Sequence, residues 1–210
     1  MATTGFWPVK DRLKEVIDYA DNPNKTIDRK YLDEDLYAAL RYAGDDDKTD
    51  KKMYVSAINC SAKRAYEHMM ATKRRYGKTG GNVAYHGYQS FQTGECHDSQ
   101  TSLTAEEAHE IGLETARRMW GCGCPVDTSE PQAQKHRPSR QARPSYEIVV
   151  TTHLNTDNLH NHFVVNSVSF KTGRKFENHI SDHYRLREIL DAVCLEYGKS
   201  VLKVRKRNTG

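Results

Sequence analysis

The chain has 210 residues, of which 37% are hydrophobic and 29% charged, and a formal net charge of +4. That length suits one large domain or two small ones. No run of about 18 consecutive apolar residues exists, which excludes a membrane-spanning helix, and the first residues lack the basic-then-apolar layout of a signal peptide, so the cytoplasm is the expected compartment. The five cysteines, Cys60, Cys96, Cys122, Cys124 and Cys194, are odd in number and contain no C-x-x-C pair, so neither a disulfide framework nor a zinc ribbon is indicated. Cys122 and Cys124, a C-x-C beside glycines, are read as part of a reduced loop, the alternative being a metal-binding pair. The net charge is too mild to argue for nucleic acid alone; its distribution matters more.

In chain order, residues 10–21 are expected to be helical, because Leu13, Val16, Ile17 and Ala20 recur at i, i+3, i+4 and i+7. Tyr19 falls about 110° from the centre of that stripe at ~100° per residue, so its hydroxyl is expected at the helix's flank. Asn22-Pro23-Asn24-Lys25 ends the helix. Residues 33–43 are expected to form a second, short helix, and Asp45-Asp46-Asp47 a solvated turn. Residues 53–58 are a strand candidate. Ser61 then caps a helix to about Tyr76, with Ala62, Ala65, Tyr66, Met69 and Lys73 along one side. Its far end carries Lys73, Arg74, Arg75 and Lys78, read as a phosphate-facing patch, the plain alternative being a solvated helix end. Gly77-Lys78-Thr79 is not a nucleotide-binding loop, since that motif needs glycine where Thr72 stands and follows a strand, not a helix.

Residues 83–91 are expected to be a strand, and Thr104-x-x-Glu107 is a capping box opening a helix to about Trp120. Residues 121–145 show no period and carry Lys135, Arg137, Arg140 and Arg143, which predicts a mobile basic loop. Segments 146–152 and 162–170 are rich in β-branched and aromatic residues and read as two strands joined by the polar stretch between them. Lys171-Thr172-Gly173-Arg174 is a turn. Ser181 or Asp182 caps a last helix whose stripe is Leu186, Ile189, Leu190, Val193, Cys194 and Tyr197. The basic tail from Lys203 to Gly210 is expected to lead on into a longer protein. Hairpin-linked strands and segregated helices predict a single α+β domain over residues 1–210, with a central, largely antiparallel sheet flanked by helices.

His153 to His162 holds three of the ten histidines. Alternation puts His160 and His162 on one strand face, and His153, ending the preceding strand, can fold back beside them. Three converging imidazoles make a transition-metal site, against the plain alternative of polar residues at a hairpin end. Neutral ligands leave an ion its charge and open positions, which suits a Lewis acid. The basic segments favour a phosphate-bearing substrate. Phosphodiester chemistry also needs a nucleophile, either activated water or a side chain. Tyr19 is a candidate from its off-stripe position, although an exposed helical tyrosine is ordinary.

The string H-x-N-T-D-N-L-H-x-H-F-V-V-N from His153 to Asn166 resembles the third motif of MobP-type relaxases, the conjugation and mobilisation endonucleases of the HUH superfamily. Leu13 to Tyr19, followed by Asn22-Pro23-Asn24-Lys25-Thr26, looks like their first motif, where the tyrosine is the nucleophile. Tyr85-His86-Gly87-Tyr88-Gln89-Ser90-Phe91, with Gly94-Glu95 after it, looks like the second, whose serine is associated with DNA contact near the nick. The three occur in the expected order, and the likeness extends through nearly the whole chain.

The resemblance implies an HUH-endonuclease-like fold and a site- and strand-specific nickase acting on single-stranded DNA at a transfer origin. Divalent Mn²⁺ or Mg²⁺ would be held by His153, His160 and His162. Tyr19 would attack, leaving a 5′-phosphotyrosine and a 3′-hydroxyl that the same site can rejoin. Ser90, Asp157, Asn158 and Asn166 would orient ligands or position DNA, and Lys73, Arg74, Arg75 and Lys78 would contact its backbone. An accessory relaxosome protein and a coupling protein are the implied partners, in conjugative transfer of a plasmid or transposon within the bacterial cytoplasm. Many relatives carry Asp where this chain has Asn155, which leaves Asp157 as the nearest carboxylate to orient a histidine. His86 lies in the second motif without being one of its metal ligands, and packing or support of a ligand is its expected role. Three other readings are a strand-binding module without catalysis, a metallohydrolase using water, and a rolling-circle initiator. The last normally has its tyrosine after the histidines, where Tyr184 and Tyr197 stand.

Overall fold

The computed structural model describes residues 2–22, 26, 54–91, 103–121, 144–154, 158–199 and 201. Their strands are β1 (Ala2–Val9), β2 (Val55–Ile58), β3 (Ala84–Phe91), β4 (Ile148–His153) and β5 (His160–Asn166). The α-helices are α1 (Leu13–Ala20), α2 (Ala65–Arg75), α3 (Ala105–Trp120) and α4 (Ile180–Glu196). The strands form one sheet in the order β1-β3-β5-β4-β2, with every neighbouring pair antiparallel. This is the α+β architecture expected. Residues 33–43, Asp45-Asp46-Asp47 and 122–143 lie outside the described residues, as do Cys96, Asn155 and Asp157. Among the described residues no helix is long and apolar enough to cross a membrane.

β1 had no counterpart in the chain-order reading. Thr3, Thr4, Phe6, Trp7 and Val9 favour a strand, but Gly5 and Pro8 break the pattern. Pairing with β3, from Ala2 opposite Phe91 to Val9 opposite Ala84, settles the conformation, and an edge strand tolerates Pro8.

The two faces of the sheet are covered differently. One buries Phe6, Tyr85, Ile148, Val150, Phe163 and Val165 with Trp120 of α3 and Leu186 of α4. Each such large side chain contributes roughly 1.5–3 kcal/mol of burial free energy. On the other face α1 and α2 place Leu13, Ile17, Ala20, Ala65 and Met69 against Ala84, Val149 and Val164. The residues of α4 expected inside are buried, Cys194 among them. Tyr197 is the exception: it falls just past the last turn and is exposed, because the helix closes one residue before it. The Thr104–Glu107 capping box forms in both directions, at 3.1 and 3.0 Å. The last helix starts earlier than expected, at a cap on His179, whose backbone N–H donates to the Asp182 carboxylate at 2.8 Å.

Lys73 overturns its sequence assignment. It belongs to the buried side of α2 and is fully buried, so it cannot face a DNA backbone. Its ammonium donates to Oδ1 of Asn166, whose Nδ2 donates to Glu147 at 2.5 Å. Thr72 donates to the other Glu147 oxygen, also at 2.5 Å. The result is a clamp between α2, the end of β5 and the residue before β4. Burial pushes the Lys73 ammonium down to about 8 despite Glu147. Arg74 and Arg75 are exposed, and Lys78 donates to the Gly173 carbonyl at 2.6 Å.

Candidate active site

β4 and β5 form a hairpin in which His153 stands opposite His160 and Thr151 opposite His162. Period-two alternation therefore turns all three histidines to one face. Their ring centroids are 4.3 Å apart for His153–His162, 5.0 Å for His160–His162 and 5.1 Å for His153–His160. One nitrogen of each lies within 4.8 Å of the others. An ion with bonds of about 2.1 Å gathers nitrogens roughly 3–4 Å apart, so small ring rotations complete the set. The donor set fits one divalent ion.

Hydrogen bonds fix which nitrogen each ring can offer. His153 Nε2 lies 2.9 Å from the Ala20 carbonyl and must donate to it, which puts the lone pair of the neutral ring on Nδ1. His160 Nδ1 lies 3.0 Å from the Asn158 carbonyl, leaving the lone pair on Nε2. His162 Nδ1 meets His86 Nε2 at 3.0 Å. In the arrangement where His162 donates, its Nε2 becomes the ligand nitrogen and His86 the acceptor. An outer acceptor on each ligand is the usual way a protein orients metal-binding imidazoles. Burial holds the His86 ring well below the ordinary histidine range, at about 4, so it stays neutral and able to accept.

The same bond from His153 reaches Ala20, the residue after Tyr19, and so ties the end of α1 to the cluster. Tyr19 itself is 48% exposed, on the flank of the helix as its angular position predicts. Its ring meets His162, His153 and His86 edge-on, with centroids 5.6, 5.8 and 6.3 Å away. Two residues 134 positions apart in the chain thereby share one site. Ser90 stands opposite His160 on β3, facing the same way. Asn158 contributes its carbonyl. Asn166 is not part of the site: it shares the histidines' face but lies six residues along β5 from His160, roughly 20 Å at strand rise, inside the Lys73 clamp. The basic end of α2 is at that remote end too. Tyr184 lies on α4 and Tyr197 just past its end, and α4 packs on the opposite face.

Beneath the histidines runs a hydrogen-bonded belt that the motif reading missed. Thr152 and Asn161 are partners in the hairpin and point away from the site, into the core. The Thr152 hydroxyl donates to Asn161 Oδ1 at 2.6 Å. Asn161 Nδ2 donates to the Ala108 carbonyl at 2.7 Å and to Gln89 at 3.1 Å. With its proton committed, Thr152 accepts from His109 Nδ1 at 2.8 Å, and His109 Nε2 accepts from Ser56 at 2.8 Å. The available signal was a polar Asn161 at a position where alternation demands a core residue.

Two expectations follow from the belt. An alanine Cβ at Gly112 would lie 2.4 Å from Asn161 Nδ2. Glycine to alanine in a helix ordinarily gains up to ~1 kcal/mol, but this overlap falls on a buried, bonded side chain, so Gly112→Ala should cost about 1–3 kcal/mol, read from the urea midpoint. His109, pushed down to about 4 by burial, binds its proton more weakly folded than unfolded, where the value is 6.5. Its contribution is therefore complete above pH 6.5 and is lost as pH falls toward 4, approaching 3 kcal/mol at ~1.4 kcal/mol per unit. Urea titrations at pH 7 and 4.5 should show that acid loss in the unaltered protein and a smaller one in His109→Gln.

An antiparallel sheet presenting three histidines from adjacent central strands, with a helix-borne tyrosine over them, defines an α+β domain of the HUH-endonuclease class. The family described as "Relaxase: MobA/VirD2-like, nuclease domain" matches residues 39–126 and 140–199, and the chain belongs to it. Those residues include His86, Ser90 and the three histidines, while Tyr19 lies outside them. The chain is similar to "Protein rlx" of Staphylococcus aureus, at 30% identity over 146 residues, 70% of this chain and 35% of that protein. A second "Protein rlx" of that organism is 30% identical over 163 residues, 78% of this chain and 40% of the relative. "Group II intron-interrupted relaxase LtrB" of Lactococcus lactis subsp. cremoris (strain MG1363) is 25% identical over 190 residues, 79% of this chain and 29% of the relative. The chain thus spans two-fifths or less of these curated relatives' length.

Proposed function

We propose that this domain nicks single-stranded DNA at a transfer origin by tyrosine transesterification. The observation that carries the reading is the seating of Tyr19 against His153 and His162, on a helix whose last carbonyl is bonded to His153. The Tyr19 oxygen forms a bond to the scissile phosphorus and loses its proton. The bond from phosphorus to the 3′-oxygen breaks, and that oxygen leaves as a 3′-hydroxyl. The 5′-phosphate stays on Tyr19. One phosphoester replaces another, so the step can run backwards and rejoin the strand. When bound by His153, His160 and His162, Mn²⁺ or Mg²⁺ supplies Lewis-acid stabilisation of charge on the non-bridging phosphate oxygens. His86 and the Asn158 and Ala20 carbonyls hold the ligand rings in orientation, and Ser90 offers a hydroxyl beside His160 for the strand. Asp157, outside the described residues, remains the candidate carboxylate for orienting a ligand histidine.

The wider role proposed is initiation of conjugative or mobilisation transfer in the bacterial cytoplasm, with an accessory relaxosome protein and a coupling protein as partners. The deciding experiment incubates the protein with single-stranded oligonucleotides tiling the origin and Mn²⁺, then sequences the covalent adduct by mass spectrometry. The expected product is a 5′-phosphate on the peptide containing Tyr19. Cleaved DNA with no protein attached would instead identify a water-using hydrolase. Modification at Tyr184 or Tyr197 would identify a rolling-circle arrangement.

A further inference from the structure

A cleft of about 510 Å³ opens beside Tyr19 and His86, walled by Trp7, Pro8, Arg12 and Val16. We propose that it seats a nucleobase of the strand next to the scissile phosphate, with Trp7 as the stacking platform; this rests on the strand-nicking reading above. Trp7 is 42% exposed, on the sheet face that carries the histidines, directly opposite His86 in the ladder. Its indole is held by the His86 ring at 4.8 Å and 68° and by the Tyr88 ring at 6.0 Å and 54°. The His86 ring in turn stacks on His162 at 5.1 Å. Trp7, His86 and His162 therefore form one row of touching rings, running from the cleft to the metal ligands. A phosphate bound at His162 places the adjoining base along that row.

The chemistry of the rim selects a base over a phosphate. Lys10 and Arg12 are matched there by Asp11 and Glu15, and the Arg12 guanidinium lies 3.5 Å from Asp11 and 3.9 Å from Glu15. A rim without net charge has little attraction for a phosphate. It does offer paired donors and carboxylate acceptors to the polar edges of a base, while an aromatic wall takes the face. The volume lies in the range of small-ligand sites. Stacking of this kind tolerates any base, so the cleft would set position more than sequence.

The test uses the two tryptophans of the chain. Trp120 is buried in the core at 1% exposure, so a fluorescence change on DNA binding reports Trp7. In a Tyr19→Phe background, which prevents turnover, an origin oligonucleotide should quench emission. A single abasic position beside the nick should abolish the quench and weaken binding about 5- to 150-fold. Trp7→Leu should lose a similar factor and become insensitive to that abasic position, while Trp7→Phe keeps most of the affinity. Binding without a quench in the Trp7-containing protein overturns the proposal, as does an undiminished abasic penalty in Trp7→Leu. An adduct on Tyr19 of the unaltered protein alongside an absent quench removes the cleft assignment alone. Failure of that adduct to form removes the nickase reading.

Discussion

Tyr19→Phe is expected to lower covalent adduct formation by roughly 10⁴-fold or more while leaving metal and oligonucleotide binding close to the unaltered values. The substitution removes one oxygen and keeps the ring. The edge contacts to His86, His153 and His162 at 5.6 to 6.3 Å depend on that ring, so the arrangement of the ligands should persist. The two tyrosines that follow the histidines are poorly placed to substitute. Tyr184 lies on the helix on the far face of the sheet and Tyr197 just past its end. Tyr88 and Ser90 of the second motif are on the right face, opposite His162 and His160, and residual adduct should be sought there. Denaturing gels of the protein–DNA adduct with metal present measure the effect directly. An adduct as abundant in Tyr19→Phe as in the unaltered protein would remove Tyr19 from the mechanism.

Glu147→Ala is expected to destabilise the domain by about 3–5 kcal/mol, the cost of leaving a buried charge without its counter-charge. Lys73 is fully buried, and the Glu147 carboxylate is the group that favours its charge, while burial and Lys175 oppose it. Removing the carboxylate also deprives Thr72 and Asn166 of their acceptors. Lys73→Met leaves both hydrogen bonds to Glu147 intact but strands that buried carboxylate in turn, so it should cost a comparable amount. The double variant should cost less than the two single costs together. The departure from additivity in urea denaturation is the informative result. Costs that simply add would mean that the clamp is held by packing, not by charge compensation. Catalysis should be little affected by either variant beyond the loss of folded protein, since the clamp lies at the opposite end of β5 from the histidines.

How far the sequence reached can be judged residue by residue. Alternation along one strand is local, so His160 and His162 were legible as facing together, and the short hairpin brought His153 beside them. Tyr19's angular offset was enough to place it on the flank of α1. The apolar stripes of α1 and α4 and the capping box of α3 depend on spacing within one helix and appear as expected, Tyr197 apart. Lys73 shows the limit: it sat on the apolar side of its helix and also headed a basic run, and only the buried carboxylate of Glu147, 74 residues away, decided between the two. Asn166 shares a face with the histidines, but strand rise carries it to the far end of the sheet.

By itself, then, the sequence determined the elements with strong internal periodicity, the three-histidine cluster and its resemblance to relaxases, because those depend on neighbours a few residues apart. The tertiary structure decided what depends on partners distant in the chain. It paired the N-terminal strand with β3, which set Trp7 beside His86. It turned His86 onto His162, anchored the Tyr19 helix through Ala20 and His153, and laid the Thr152–Asn161–His109 belt under the site. Each is a contact between surfaces that no local pattern encodes, since antiparallel pairing and helix docking choose their partners by the burial and hydrogen bonding of the whole domain.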